Sequence, residues 1–283
     1  MRRVETFPTY RRHAEILKVL YGTLTELSDS FTAFDLARMR GYIKGSEQEQ
    51  MLADLNIFRC EADLGWILEN CSLTQGDLAE IGSLNKSGKF LLTGRYIIPV
   101  YDLQGNLVTL IGYFKDIKKY ITLPTLFFSK EIMFFNIESA FKLSFEEFGG
   151  TVFLVEGIFD CLSLRALGLP AIATMGAVVG DAKKLLLEQF NKVVYIPDND
   201  ITGRKGLDLQ RGWKVPKNAV GVKLSGSLDF NEMAENEEGY DKEKIIKIKD
   251  VDDLIKFCDG EDIRNIMLEF AKSTERIEKF EIG

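Results

Sequence analysis

The sequence predicts an α/β fold: a parallel-sheet domain joined to an N-terminal helical region and a small basic β subdomain. Three observations carry this. Thr151-Val-Phe-Leu-Val155 is a short apolar run that ends in Glu156 and Gly157, as a buried strand does when it delivers a carboxylate to its tip. Val193-Val-Tyr-Ile-Pro197 repeats the pattern and ends in Asp198-Asn199-Asp200. Between them, Ala171-Ile-Ala-Thr-Met-Gly176 is a third strand, flanked by two helical segments. Strand and helix alternating at this spacing imply parallel strands joined by right-handed crossovers.

The first ninety or so residues read as helical. Ile16, Leu17, Val19 and Leu20 lie at helical spacing within 10–21, and Phe31, Phe34, Leu36, Ala37 and Met39 do so within 30–41. Residues 46–55 form a third helix with a Glu- and Gln-rich face. Ser72 or Thr74 caps a short helix through Leu78, and Gly82 ends it with a positive φ. His13 reads as a surface side chain.

Two strands follow over 95–102 and 107–113, and Gln104-Gly105-Asn106 supplies the hairpin turn. Pro99 suits a position that needs no amide donor. Lys115, Lys118, Lys119 and Lys130 interleave with Tyr113, Tyr120, Phe127 and Phe128. Basic and aromatic residues in this mixture suit a single nucleic-acid strand, with charge on phosphates and rings under bases.

A helix over 137–148 stops at Gly149-Gly150, which marks the expected domain boundary. The regions expected are thus 1–90 helical, 91–150 basic β, 151–258 parallel-sheet and 259–283 a C-terminal helix. Ile158 to Leu167 and Asp181 to Phe190 are the helices between the parallel strands, and Asp160 sits on the first turn of the former. A further strand-and-acid unit is either 219–224 followed by Asp229, or 244–249 followed by Asp250 and Asp252. Arg204 and Lys205 open a helix after Asp200, a basic start that calls for a nearby anion.

In a parallel sheet, ligands sit at the carboxyl ends of the strands. Glu156, Asp198 and Asp200 therefore converge at one edge. Unit charges ~4 Å apart repel by about 4 kcal/mol at an effective dielectric near 20. A cation that shares them removes that cost, and all-oxygen ligands favour Mg²⁺ or Mn²⁺. Such a cluster suits phosphoryl transfer.

Composition narrows the field further. Charged residues make up 28% and apolar residues 46%, as in ordinary soluble proteins, and no apolar run reaches membrane-spanning length. The N-terminus lacks the apolar stretch of a signal peptide, so the cytoplasm is expected. The four cysteines are scattered singly and there is one histidine, so no zinc site and no Ser-His-Asp chemistry is expected. A net charge of −7 argues against a general nucleic-acid coat protein but permits a local basic stripe.

Three blocks also carry a resemblance: Val155-Glu-Gly-Ile-Phe-Asp160, Ala173-Thr-Met-Gly176 and Asp198-Asn-Asp-Ile-Thr-Gly-Arg-Lys205. In this order and spacing they resemble the Toprim domain, and within it the DnaG-type primase catalytic core of bacteria, phages and mobile elements. The resemblance implies DNA-templated synthesis of short RNA primers, a nucleotidyl transfer. It implies catalytic roles for Glu156, Asp198 and Asp200, and a metal site formed by Glu156, Asp160, Asp198, Asp200 and acids of the last unit. There Lys249-Asp-Val-Asp-Asp253 resembles the family's Lys-Asp-Pro-Asp block, which points to Asp250 and Asp252, with Asp229 the rival. Residues 118–124 and 129–131 resemble family segments that would bring Lys119, Thr122 and Lys130 to template or nucleotide, and Arg95 starts the family's first basic strand. One departure is Ile111-Gly112-Tyr113 where the family usually has Gly-Gly-Arg; Lys115 is the nearest substitute. Implied partners are single-stranded DNA, nucleoside triphosphates, and a replicative helicase or a separate zinc-module protein. A Toprim nuclease, or a non-catalytic nucleic-acid-binding replication protein, are the alternative expectations.

Overall fold

The computed structural model describes residues 7–26, 30–42, 46–114, 119–176, 179–198, 218–229, 245–247, 250–272 and 277–282. The chain divides into two compact units, residues 1–129 and 130–283.

The first unit is built on a four-stranded antiparallel sheet, β1 (Phe58–Cys60), β2 (Arg95–Tyr101), β3 (Leu107–Phe114) and β4 (Lys119–Thr122), in that spatial order. Helix α1 (Phe7–Glu26) buries Ile16, Leu17, Leu20 and Leu24 against Phe58, Ile97 and Leu110. Its apolar stripe at helical spacing thus meets the strands' inward faces. His13 is buried, not exposed, because it lies on the same side of α1 and meets Glu80 at 3.2 Å. Helices α2 (Ser30–Arg40), α3 (Glu47–Asp54), α4 (Leu64–Asn70) and α5 (Gln75–Glu80) complete the unit.

Local chemistry sets these elements. Of the two residues expected to cap α5, Thr74 does so, in a capping box with Asp77. The Thr74 bonds, aided by Arg12, hold the Asp77 carboxyl below the usual range. Gly82 has φ +66° and faces Pro124 so closely that a Cβ would lie 2.5 Å from its ring. The hairpin turn is tied by Asp102, which accepts from the amides of Gln104 and Asn106. Pro99 pairs with Leu110 of β3, while β1 reaches only as far as Ile97, so no ladder bond on that side is lost. The region expected to be helical therefore also carries β1: Phe58 and Cys60 alternate inward around exposed Arg59.

The second unit is a parallel sheet in the order β10-β8-β7-β5-β6. Its strands are β5 (Thr151–Val155), β6 (Ala171–Ala173), β7 (Lys192–Ile196), β8 (Ala219–Asp229) and β10 (Ile277–Ile282). A short β9 (Ile245–Lys247) pairs antiparallel with the far end of β8. Around the sheet lie α6 (Ile137–Glu147), α7 (Ile158–Ala166), α8 (Asp181–Leu187), α9 (Val251–Phe257) and α10 (Gly260–Lys272). The unit begins at Lys130, before the expected boundary at Gly149-Gly150, because Phe134, Ile137 and Ala140 share a core with Val152, Leu154 and Ile172.

The tail departs from the expected single helix. α10 ends at Lys272, and Ile277–Ile282 adds a parallel strand beside β8. Only Phe280 and Ile282 stand two apart in Ile-Glu-Lys-Phe-Glu-Ile, too short a pattern to announce a strand.

Candidate active site

β5 is buried along its whole length, so the chain emerges from the core at Glu156. β7 is its parallel neighbour in the register Val155↔Ile196, so Glu156 and Asp198 leave the sheet at the same edge. Both are half-buried. Tyr195, itself buried, donates from its hydroxyl to Glu156 Oε1 at 3.2 Å. The main chain of Glu156 is held as well: Met175 N donates to its carbonyl at 3.1 Å, and Thr174 N donates to Val155 O at 2.9 Å. Met175 adopts φ +57° to do so, an uncommon conformation for a residue other than glycine.

Gly157 starts α7, and the reason for a glycine is space, since its φ of −92° suits any residue. A Cβ at 157 would stand 2.2 Å from Asp160 Oδ2. The Asp160 carboxylate folds back over the turn, is buried, and accepts from Asp252 N at 3.0 Å. Burial first, and then the charges of Asp250, Asp252 and Asp198, push its carboxyl well above the usual range.

Asp250, Asp252 and Asp253 come from the start of α9. Asp250 caps the helix, accepting from Asp253 N at 2.9 Å, and burial raises its carboxyl too. Asp252 is 1% exposed and both its oxygens are engaged: Ser163 Oγ donates to Oδ1 and Lys256 Nζ meets Oδ2, each at 2.6 Å. The structure therefore brings Asp160, Asp250 and Asp252 together, and Asp160 is also within electrostatic reach of Asp198. The donors of this group, all carboxylate oxygens, fit a hard divalent cation. Among the described residues, no group of three His, Cys, Asp or Glu side chains is gathered tightly enough to hold a metal as it stands. Asp200, Arg204, Lys205 and Lys115 lie outside the described residues. Asp229 ends β8, eight residues beyond Gly221, where the pairing of β8 with β7 stops.

A cavity of about 650 Å³ opens at the turn 174–176, lined by Lys130, Glu131, Thr174, Met175, Gly176 and Asp181 among others. In the other unit, Arg95 donates from Nε to Leu91 O at 3.0 Å, and its guanidinium lies 5.3 Å from the Phe114 ring centre. Gly112 makes room for it, since a Cβ there would be 2.7 Å from Arg95 Cδ. Lys119 and Tyr120 are exposed on the edge strand β4, and Tyr120 packs its ring 5.0 Å from that of Tyr113. The Thr122 hydroxyl is buried without a hydrogen-bond partner among the described residues.

Sequence reasoning missed Tyr195, Ser163 and Lys256. The helical spacings Asp160 to Ser163 and Asp252 to Lys256 were available signals; a tyrosine inside an apolar strand gave none.

Residues 153–234 match the Toprim-like family. A DNA primase of Clostridium acetobutylicum is 29% identical, over 66% of this chain and 37% of that protein. The chain thus spans little more than a third of that relative's length. A DnaG primase catalytic domain bound to single-stranded DNA superposes with a TM-score of 0.67 at 17% identity, over 93% of this chain and 80% of that one. The zinc-binding and RNA polymerase domains of the Aquifex aeolicus primase give 0.64 at 22% identity, over 92% and 60%. The chain has the fold of a DnaG-type primase catalytic core. This primase-core fold extends beyond the family match on both sides, and α9, which carries Asp250 and Asp252, lies outside that match.

Proposed function

We propose that the protein is the catalytic core of a DNA primase, which joins ribonucleotides on a single-stranded DNA template. One observation carries the reading: separate elements of a primase-core fold bring Asp160, Asp250 and Asp252 together in a buried, mutually repelling group beside Asp198 and the Glu156 edge. Lys256 offsets Asp252 within this group, and the remaining carboxylates are costly to bury charged without a further cation.

Asp198, Asp200 and Asp250 would hold Mg²⁺ or Mn²⁺, with Asp160 behind them. When bound, the cation neutralises the triphosphate and the developing charge on the leaving pyrophosphate. Asp252, with both oxygens occupied by Ser163 and Lys256, orients the turn that carries Asp250 and donates its amide to Asp160. Glu156, fixed by Tyr195, accepts the hydrogen bond of the primer 3′ hydroxyl and takes its proton, or orients a bound cation. Lys119, Thr122 and Arg95 serve template or nucleotide, as do Lys115, Arg204 and Lys205. Lys130, on the cavity at the turn 174–176, serves the incoming nucleotide. A separate zinc-module protein and a replicative helicase are the partners that fit this work, and the cytoplasm is the compartment. No described helix is long and apolar enough to cross a membrane.

The test is primer synthesis on single-stranded DNA with ribonucleotides and Mg²⁺ or Mn²⁺. Glu156→Gln is expected to lower product by at least about a hundredfold, the size of a lost acid–base group. Undiminished product from that variant overturns the mechanism. Metal-dependent cleavage without nucleotide incorporation would instead make the protein a nuclease.

A further inference from the structure

Lys183, on the first turn of α8, is 1% exposed. Burying an ammonium is unfavourable unless a charge or hydrogen bonds compensate. Among the described residues no carboxylate pairs with it. Its Nζ donates to the Thr174 carbonyl and stands 5.1 Å from the centre of the Phe134 ring. Burial, and after it the like charge of Lys130, lower its ammonium to about 8. A methionine has nearly the same length and packs well on a ring. The position thus carries a cation where an apolar residue would be easier to bury.

What the ammonium holds explains the choice. Thr174 opens the turn that grips the site: its amide donates to Val155 O, and the next amide, of Met175, donates to Glu156 O. The Thr174 hydroxyl closes the same turn onto Gly176 O. We propose that Lys183 is a positioning residue for Glu156, drawing the Thr174 carbonyl inward so that turn 174–176 keeps its grip on the Glu156 main chain while Tyr195 holds the carboxylate. This rests on the catalytic reading of Glu156 given above. No other cation among the described residues is hydrogen-bonded to that turn.

The test is Lys183→Met in the full chain. Primer synthesis is expected to fall about tenfold in kcat, with nucleotide KM changed less than twofold. The thermal midpoint is expected to stay equal or rise, since a buried charge has been removed. Amide exchange at Met175 is expected to accelerate at least tenfold, while Phe153 and Val194 in the sheet stay protected. Lys183→Arg, which keeps charge and donor, is expected to restore part of the Met175 protection. Unchanged exchange at Met175 overturns the proposal. So does faster exchange throughout β5 and β7 with a lower midpoint, or a variant that fails to fold, since each makes Lys183 a general structural residue. Exchange and melting need no catalysis. A wild-type protein that makes no primers would therefore remove the functional reading while the exchange result still decided whether Lys183 holds the turn.

Discussion

Asp252 shows how a single side chain organises its surroundings. It is nearly inaccessible, and its two oxygens are divided between a hydroxyl on α7 and an ammonium one turn along α9. Removing one partner of a buried ion pair leaves the other charge uncompensated, which typically costs about 3–5 kcal/mol. Lys256→Met is therefore expected to lower stability to urea by about 3 kcal/mol. Adding Asp252→Asn is expected to return most of it, because the stranded charge is gone. A double variant no more stable than the single one would show that Lys256 acts in some other way. The arrangement was half legible in the sequence. Lys249-Asp-Val-Asp-Asp253 drew attention to these acids, but nothing local distinguishes an aspartate that holds a ligand from one that holds a helix. The distinction lies in Ser163, which is 89 residues away in the chain.

At the level of elements, the parallel strands were the most legible part. β5, β6 and β7 are short, apolar and punctuated by acids or glycine, and each formed where its pattern placed it. The C-terminal strand was not legible as part of the sheet. Its six residues pair with Gly221–Gly226 of β8, and that pairing is long-range, so no local pattern announces it. β8 would otherwise present an unpaired edge at those positions, and open edges promote association between chains. A chain ending at Lys272 is accordingly expected to self-associate, as light scattering at micromolar concentration would reveal. If that shortened chain stays monomeric with an unchanged thermal midpoint, β10 is dispensable to the sheet. The first unit offers the converse case. Its hairpin and caps were readable because Asp102 and Thr74 act on residues within a few positions, and Gly82 ends its helix through its own positive φ. β1 was not, because three residues with one exposed arginine are too few to reveal a period.

For the whole molecule, titration links the site to stability. The Lys183 ammonium has a value of about 8 in the folded chain against 10.5 ordinarily. Between these values the unfolded chain binds the proton and the folded chain does not, so this group's contribution to stability rises with pH. Below about 8 the folded chain carries the full cost of the buried charge. The window spans up to about 3 kcal/mol at 1.36 kcal/mol per unit. Lys130 is the charged neighbour that adds to burial here. The stability gap between Lys183→Met and the wild type is expected to narrow from pH 7 to pH 10, as denaturation curves at both values would show. A gap that does not move with pH would mean the lysine is solvated in the folded chain. The same scale explains why the convergence of acids was readable and their detailed roles were not. Parallel topology alone sends Glu156 and Asp198 to one edge. Which of the remaining acids is buried depends on how α9 docks on α7.

Met175 has a bearing on how the chain can be altered by hand. It sits in a left-handed conformation without being glycine, and it is kept there because the turn is fastened to Val155, to Glu156 and to Lys183 at once. Extra residues spliced in between Gly176 and Lys183 would therefore lengthen a closed loop of bonds instead of a slack connection. Among the described crossovers of the parallel unit, this is one where a reporter or epitope should not be grafted.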